Sequence, residues 1–460
     1  MNQNKLYDAV PYRIQQLLLN LYALKINKER FGKRFKAIMA QLNTMEHYTE
    51  EDIATYQDDK LKALVVHCYQ NIPYYRELFD SLKLKPADIN GRADLYKIPV
   101  ITKSIIKANF EKLIDPSALR AGTISYGSTS GTTGSPLKVG WDTETCIFNN
   151  ALDWRHKKWA GINVGDSMAV FFGRPIVSFK RNNPPYWQKN YIHNQTWFSA
   201  FHISNNTLPD YLKQLQKLNP VAIEAYPSTA YMLAQYMNRH GIKLPVKAIF
   251  TSSEPLYPVQ RSAIETAFGC QVYDYYGLAE RCVVATECEA HEHLHLNFEY
   301  AYTELSTPEG GPTDTGLITS TNLINQAMPL LRYQTSDVTN FIHQPCECGR
   351  PHPRIKRIET KSEDVIYTPS GKSISPSVLT HPFKPITTIE KSQIVQTDPD
   401  RILIRLVKGQ GFKNNDEVEL REGLAERLGK EIQIDIEYLE DIPIEASGKF
   451  RWVISKLKKR

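Results

Sequence analysis

Short apolar runs alternate with amphipathic stretches through the middle of the chain. The apolar runs at 168–173, 221–225, 248–251 and 272–276 predict buried strands. The helical spacing of apolar residues predicts helices over 208–218, 228–240 and 258–268. Strands that alternate with helices form a parallel sheet, and ligands bind beyond the carboxyl ends of its strands. We therefore expect binding residues directly after position 251 and at the end of the 272–276 strand.

The first 82 residues are predicted to be mainly helical, over 1–40 and 50–82. The first stretch has one apolar side, formed by Ile14, Leu17, Leu18, Leu21 and Leu24, and basic residues dominate between positions 25 and 36. This helix either touches an anionic membrane surface or packs its apolar side on its own domain. We favour packing on the domain, with the basic end in solvent.

Residues 144–160 are predicted to be a further helix, and an unusual segment follows at 174–202. This segment combines aromatic residues such as Trp187 and Phe198 with basic residues such as Arg174 and Arg181. Such a mixture suits a pocket for an anionic or sugar-bearing substrate, and it equally suits a long surface loop held by its aromatic side chains. The sequence does not favour either interpretation.

Composition narrows the class of protein. The chain has 460 residues, a formal net charge of +6 and 7 cysteines. This length suits roughly three domain-sized units, and the mild charge does not call for a nucleic-acid partner. No run of about 18 apolar residues occurs, and no signal-peptide pattern is recognised at the N-terminus. An odd number of cysteines in a long chain argues against a disulfide framework, so we expect a cytoplasmic protein.

One stretch is rich in glycine and hydroxyl residues and lies between apolar segments that favour strands. It contains the candidate phosphate-binding residues Ser128, Thr129, Ser130, Gly131, Thr132, Thr133, Gly134 and Lys138. Glycine lets backbone N–H groups turn toward one anion, while hydroxyls and the lysine add further donors. Ser135-Pro136 follows Gly134, so this is not a Walker A loop. The alternative is a flexible linker.

The loop resembles the phosphate loop of the adenylate-forming superfamily, which includes acyl-CoA synthetases. Further stretches match this family in order: Ser253-Glu254-Pro255, Tyr275-Tyr276-Gly277-Leu278-Ala279-Glu280, Arg332-Tyr333-Gln334-Thr335-Ser336-Asp337 and Ser447-Gly448-Lys449. The resemblance implies that Tyr276 stacks on adenine and that Ser253, Glu254 and Pro255 line its edge. It further implies that Glu280 binds Mg²⁺, Asp337 accepts from the ribose hydroxyls and Lys449 bridges carboxylate and α-phosphate. Tyr275 and Gly277 complete the predicted nucleotide site.

Two positions depart from the family pattern. Ala279 replaces the usual threonine, which removes one hydroxyl donor, and Thr360-Lys361 replaces the Gly-Arg of the hinge. Since lysine does not reproduce the donor geometry of arginine, the ribose contact predicted at Lys361 is weakened. The acidic pair Glu363-Asp364 of the hinge is retained.

The resemblance implies an α/β adenylate-forming fold with mixed and parallel sheets. It implies a large nucleotide- and substrate-binding domain over 1–359 and a small mobile α+β lid over 360–460. Within the superfamily the chain is most similar to the branch of phenylacetate-CoA ligases and CapK-like proteins of capsular polysaccharide biosynthesis. That similarity rests on the short segments 71–76, 200–204 and 225–228.

Cysteine and histidine residues form two closely spaced pairs. Cys288 and His291 make one pair, and Cys346 and Cys348 make the other. Two such pairs can build one tetrahedral zinc site of structural type, and the resemblance supports a zinc there. Competing ligands are Cys282, His293, His295 and His352, and the alternative is that the cysteines are free.

The sequence thus predicts an ATP-dependent acid–thiol ligase that forms an acyl-adenylate with Mg²⁺ and releases pyrophosphate. The acyl group would pass to CoA or to a separate acceptor, such as an amine or hydroxyl of a surface polysaccharide. A nucleotide-binding relative that no longer catalyses is an alternative, supported by Ala279 and Lys361 and opposed by Lys449 and Glu280. A zinc-stabilised nucleic-acid binder is disfavoured, because no concentrated basic and aromatic platform occurs.

Overall fold

A computed structural model of the chain describes residues 10–129, 137–172, 176–178, 181–204, 206–358, 366–371, 373–374, 376–383, 385–386, 388–429, 431–442 and 452–457. Its α-helices are α1 Tyr12–Arg30, α2 Lys33–Met45, α3 Glu50–Asn71, α4 Pro73–Ser81, α5 Lys103–Ala108, α6 Pro116–Ala121, α7 Thr143–Trp159, α8 Leu208–Leu218, α9 Pro227–Arg239, α10 Pro258–Phe268, α11 Pro376–Leu379 and α12 Asn414–Leu428.

The strands fall into four sheets among the described residues. A hairpin pairs β1 Ser125–Ser128 with β2 Lys138–Trp141, and a second small sheet pairs β15 Ile366–Tyr367 with β16 Ser373–Ile374. The large sheet contains β3 Met168–Phe172, β4 Trp187–Asn190, β5 Gln195–Ser199, β6 Ala222–Ala225, β7 Ala248–Ser252, β8 Gln271–Gly277, β9 Val284–Glu287, β10 Leu294–Leu296, β11 Ala301–Ser306, β12 Thr315–Asn322, β13 Tyr333–Ile342 and β14 Arg354–Ile355. A four-stranded sheet near the C-terminus contains β17 Ile389–Asp398, β18 Arg401–Lys408, β19 Gln433–Tyr438 and β20 Val453–Ser455.

The large sheet changes from parallel to antiparallel at β8. Its order is β11-β12-β13-β14-β10-β9-β8-β7-β6-β3-β5-β4. The strands β5, β3, β6, β7 and β8 run parallel, as their alternation with helices predicts, whereas β8 and β9 pair antiparallel. The predicted parallel sheet is therefore confirmed, and its switch to antiparallel pairing lies beside the motif that ends β8.

Both faces of the parallel half are covered. Side chains of β6 and β7 alternate between a core beneath α8, α9 and α10 and a second core that contains α7 residues such as Phe148 and Leu152. The helix α7 begins after Asp142, whose carboxylate accepts from the backbone N–H of Thr145 at 2.7 Å and so caps the helix. Because these parallel strands are buried on both faces, most of their residues are apolar, which explains the continuous apolar runs in the sequence.

Much of the described part of the segment 174–202 is built into the large sheet. Its described residues include β4 and β5, which form an edge hairpin of the large sheet. Tyr186 and Phe198 are buried, and the ring of Tyr186 stacks on Tyr211 of α8 at 5.6 Å between ring centroids. These aromatic side chains belong to the core, so the described residues 187–202 do not form a surface loop.

The first helix packs on its own domain, as favoured, but through a different side from the one predicted. The side of α1 that faces the protein buries Gln15, Leu19 and Ala23. The apolar side predicted to pack is exposed instead: Ile14 by 45%, Leu17 by 59%, Leu18 by 43%, Leu21 by 53% and Leu24 by 50%. None of the helices in the described part of the chain is long and apolar enough to cross a membrane.

Residues after 366 form a smaller unit with its own sheet and core. Apolar side chains from β17, β18 and α12 enclose Trp452, which is fully buried, and this core also contacts Phe201 of the larger unit. The predicted boundary between residues 359 and 360 lies outside the described residues, so its position stays a prediction.

A buried ionic cluster fixes α7 to the antiparallel half of the sheet. Arg155 donates to the Glu299 carboxylate and to the side-chain oxygen of Asn297, and His352 Nε2 lies 3.1 Å from Glu299 Oε1. Burial raises the pKa of Glu299, but the charges of Arg155 and His352 overcome it and hold the pKa at about 2. The ionised carboxylate therefore stabilises the folded state.

We predict that Glu299→Gln lowers the free energy of unfolding at pH 7 by about 3 kcal/mol, because Arg155 stays buried without its partner charge. The folded pKa of Glu299 lies below the ordinary 4.5, so its contribution is complete above that pH and declines toward pH 2. Urea unfolding followed by tryptophan fluorescence should show the gap between wild type and variant narrowing with acidification. The exposed Glu51→Gln is the matched control, and parallel profiles for wild type and E299Q would contradict the prediction.

Candidate active site

The residues predicted to line the adenine pocket follow β7. Ser253 comes directly after this strand and adopts the left-handed conformation with a φ of 70°, which is uncommon for a residue with a side chain. Glu254 turns back and accepts from the backbone N–H of Ser228, at the start of α9, at 3.0 Å. Pro255 follows in the same turn. The motif thus lies at the carboxyl end of a parallel strand, as predicted.

A hydrogen bond joins two predicted motifs that lie far apart in the sequence. The Tyr276 hydroxyl at the end of β8 donates to Asp337 Oδ2 of β13 at 2.8 Å. Burial raises the pKa of Tyr276 well above its ordinary value, and the charge of Asp337 raises it further. Gly277 is required here, since a Cβ at this position would lie 2.6 Å from the ring of Tyr275. Tyr275 and Tyr276 point to opposite faces of the strand, into different cores.

Glu280 is buried next to the same pair of strands. Its Oε1 accepts from the hydroxyl of Tyr333 at 2.6 Å. Burial raises the pKa of Glu280 and Asp337 adds to the rise, while the bond from Tyr333 and the charge of Lys103 oppose it. Burial also lowers the pKa of Lys103 to about 8. Glu280 is therefore a buried carboxylate whose charge is partly offset by Lys103, and its oxygen atoms suit a hard divalent cation.

Sequence reasoning missed Lys103. The backbone places it here, because Ile101 N donates to Arg332 O at 3.1 Å and Gln334 N donates to Ile101 O at 2.9 Å. These bonds attach the segment before α5 to the start of β13. In the sequence Lys103 follows a short apolar run, and no spacing distinguishes it from a surface lysine.

The glycine-rich stretch joins two paired strands, as predicted. In the hairpin Ser128 pairs with Lys138. Thr129 is buried, and its Oγ1 accepts from the backbone N–H of Leu137 at 2.9 Å. The Lys138 Nζ lies 4.6 Å from the centre of the Tyr126 ring. Ser130, Gly131, Thr132, Thr133 and Gly134 lie outside the described residues, as do Lys361 and Lys449.

Comparisons with known proteins show which family this chain resembles. A family model described as the CapK C-terminal domain matches residues 366–456. Protein CapK of Staphylococcus aureus is 26% identical over 99% of this chain and 100% of its own length. Phenylacetate-coenzyme A ligases of Aromatoleum evansii and Thermus thermophilus are 25% and 24% identical, over 86% and 90% of this chain and 90% and 91% of theirs. The chain is therefore similar to the CapK and phenylacetate-CoA ligase branch of the adenylate-forming enzymes.

A solved structure confirms the fold class of this branch. The crystal structure of 2-hydroxyisobutyryl-CoA ligase in complex with 2-HIB-AMP and CoA has a TM-score of 0.57 and 19% identity to this chain. The likeness covers 88% of this chain and 90% of that one. The predicted adenylate-forming fold is confirmed. The phenylacetate-coenzyme A ligases among the relatives support the predicted class of enzyme, an AMP-forming acid ligase.

A second group of residues in this CapK-like chain has the geometry of a metal centre. One ligand atom from each of Cys288, His295, Cys346 and Cys348 lies within 4.8 Å of the others. The sulfur atoms of Cys288 and Cys346 are 3.6 Å apart, and Cys348 Sγ lies 3.6 Å from His295 Nε2. Tetrahedral zinc with ordinary Zn–S and Zn–N bonds separates its ligand atoms by roughly 3.6–3.8 Å. The cluster therefore fits zinc.

The fourth predicted ligand, His291, is replaced by His295. His291 occupies the turn after Cys288 with a φ of 54°, and its Nδ1 lies 3.8 Å from Glu287 Oε1. His295 lies on β10, which pairs with β9 and returns beside Cys288. Of the other competing residues, His352 contacts Glu299 and Cys282 is buried in the core beneath the N-terminal helices.

Proposed function

We propose that this chain activates a carboxylic acid with ATP and passes the acyl group to CoA or to a separate acceptor. The observation that carries the proposal is the joining of the β8 and β13 motifs in one buried site, through Tyr276 with Asp337 and Glu280 with Tyr333. Phenylacetate-coenzyme A ligases, which align with most of this chain, also support the proposal.

Each side chain has a chemical task in this proposal. The Asp337 carboxylate, already fixed by Tyr276, accepts hydrogen bonds from the ribose hydroxyls, for which two acceptor oxygens are well suited. The ring of Tyr276 and the turn Ser253-Glu254-Pro255 hold adenine. Glu280 would hold Mg²⁺, which takes one or two carboxylates together with phosphate oxygens. Loop residues between Ser128 and Lys138 bind the phosphates.

In the first half-reaction a carboxylate oxygen of the acid attacks the α-phosphorus. The bond from that phosphorus to the bridging oxygen breaks, and pyrophosphate leaves with the electron pair. Lys449 stabilises the negative charge that develops on the phosphate oxygens. The small unit over 360–460 acts as the lid that carries this lysine. In the second half-reaction CoA is the favoured acceptor, and an amine or hydroxyl of a surface polysaccharide is the alternative.

We predict that purified protein releases pyrophosphate from ATP and Mg²⁺ only when a suitable acid is present. Lys449→Ala should slow this release by at least about a hundredfold, as expected when a donor to a developing oxyanion is removed. ATP binding, measured by calorimetry, should stay largely intact.

The matched control is Lys456→Ala, an exposed lysine of the same terminal segment, which should keep full activity. Equal loss of ATP binding and of turnover in K449A would reject the role of the lid lysine. ATP binding without pyrophosphate release across aryl, fatty, amino and sugar acids would favour a relative that no longer catalyses.

We also propose that Cys288, His295, Cys346 and Cys348 hold a structural zinc. Their four donor atoms leave no open position, which is the arrangement of a structural rather than a catalytic site. Such a site would link the hairpin of β9 and β10 to the turn before β14.

Protein purified without added metal should contain about one zinc per chain. His295→Ala should lose most of this zinc and lower the melting temperature, whereas His291→Ala is the matched control and should keep the metal. Mass spectrometry of the metal and thermal melts provide the two measurements. Retention of zinc in H295A together with its loss in H291A would show that the cluster is assigned wrongly.

A second candidate function concerns the exposed side of α1, and we propose that it binds an anionic membrane surface. The exposed apolar side chains Leu17, Leu18 and Leu21 are followed by the exposed cations Lys25 and Lys28. Apolar residues beside lysines are the pattern of helices that lie in the headgroup region. If a second copy of the chain bound to this side, the same lysines would repel one another. An anionic lipid surface would attract them, so we favour the lipid as the partner.

The protein should therefore sediment with vesicles of phosphatidylcholine and phosphatidylglycerol, and much less with phosphatidylcholine alone. Replacing Leu17 and Leu21 by serine should abolish this binding without lowering the melting temperature, because both side chains are exposed. Leu119→Ser, another exposed leucine, is the control. Binding that persists in the double variant, or a dimer that the double variant disrupts, would contradict the membrane role.

A further inference from the structure

A small polar cavity adjoins the proposed nucleotide site. It has a volume of about 220 Å³, and its walls come from α7, from the ends of β6, β7 and β8, and from Arg30 and Arg281. Ser252 and Tyr275 line it, and they are the chain neighbours of Ser253 and Tyr276. A larger cavity of about 550 Å³ lies beside β11 and contains none of the motif residues.

The chemistry of the cavity is set by one stripe of α7. Cys146, Asn149, Asp153 and Lys157 line it, and their spacing of three or four residues places them on one side of the helix. Lys157 is buried, with its Nζ 2.5 Å from Asp153 Oδ1 and 3.2 Å from Glu224 Oε2. Two carboxylates therefore share one ammonium group, which leaves one formal negative charge.

The two carboxylates still face the cavity. The side chains of Asp153 and Glu224 are 35% and 34% exposed, whereas that of Lys157 is only 2% exposed. Burial raises the pKa of Glu224 and the charge of Lys157 opposes the rise. The lysine thus lies beneath the carboxylates, and their exposed sides face the cavity.

His156 adds an independent polar group. It lines the cavity, it is 1% exposed, and its Nε2 has no hydrogen-bond partner among the described residues. Burial lowers the pKa of His156 to about 3, so the ring is neutral near pH 7. A buried polar atom without a partner is costly, and a bound polar ligand would satisfy it.

The opposite end of the cavity is positive. Arg281 follows Glu280 in the sequence, and its Nη1 donates to Cys146 Sγ at 3.0 Å. Asp153 lies seven residues after Cys146 in α7, which corresponds to roughly 10 Å along the helix axis. Allowing a hydrogen bond of about 2.9 Å at each end leaves roughly 4–5 Å between the two polar groups of a ligand.

From this geometry we propose that the acid activated by the enzyme is a small amino acid whose ammonium group lies at the end remote from the carboxylate. The ammonium group would bind Asp153, Glu224 and His156, and the carboxylate would point toward the Glu280 end, where adenylation takes place. This inference rests on the proposed ligase function and adds the class of its substrate. An aryl or aliphatic acid would leave these polar groups without partners.

The test is carboxylate-dependent pyrophosphate release by the full chain with β-alanine, 4-aminobutyrate and 5-aminopentanoate. Each is paired with the hydroxy acid in which oxygen replaces nitrogen, and phenylacetate is included. We expect kcat/KM for at least one amino acid to exceed that of its hydroxy partner by about tenfold or more, since a charged donor strengthens hydrogen bonds to carboxylates.

Glu224→Gln and Asp153→Asn should each raise KM for the preferred amino acid by about tenfold, as expected when a charge-assisted bond is lost. The kcat value should change little, and the KM for the hydroxy acid should rise less than the KM for the amino acid. This difference distinguishes ligand binding from a merely structural role. The two variants keep side-chain shape, and either one suffices if the other fails to fold. Glu51→Gln is the matched control.

Two outcomes would overturn the inference and leave the ligase function intact. The enzyme could prefer phenylacetate or the hydroxy acids, or the variants could change KM equally for both members of a pair. If no acid of this panel or of the wider panel releases pyrophosphate, the ligase function fails and the inference fails with it.

Discussion

The hydrogen bond between Tyr276 and Asp337 is the constraint on which the site depends. It joins β8, the last parallel strand of the large sheet, to β13 of the antiparallel half. Both side chains are partly buried, and burial with a nearby carboxylate raises the pKa of Tyr276, which keeps its hydroxyl protonated as a donor. Glu280 and Tyr333 form a second buried bond between the same two parts of the sheet. A shift between the two halves would therefore break both bonds at once.

The helix α7 contacts both the Cys/His cluster and the polar cavity. One side carries Arg155 and Trp159 toward the antiparallel half, where Trp159 lies between Arg155, Arg350 and the histidine of the Cys/His cluster. The opposite side carries Asp153 and Lys157 into the polar cavity. The buried pair of Arg155 and Glu299 fixes the rotation of the helix about its axis. The packing of the Cys/His cluster and the shape of the cavity thus depend on the same helix.

The sequence predicted the features that are local. Apolar runs gave β3, β6, β7 and β8, and each motif at a strand end lies where parallel topology places it. The choice of His295 over His291 required the register of β9 against β10, which spacing does not contain. The outward face of α1 was predicted wrongly, because periodicity identifies an apolar side without showing what covers it. The cavity combines residues from distant elements, such as Arg30, Asp153 and Glu224, so composition could not reveal it.

The charged side chains in that cavity matter more for the chemistry of the ligand than for the stability of the fold. Burying a lysine against carboxylates costs desolvation free energy, and well-packed apolar residues of similar volume are often as stabilising. The neighbouring core beneath α7 is built from residues such as Phe148 and Leu152, so an apolar alternative was structurally accessible at this position. A site for an aryl acid would gain from that alternative, since it needs apolar walls with few polar groups. The presence of Asp153, Lys157 and Glu224 together therefore favours a bound group that offers hydrogen bonds and positive charge.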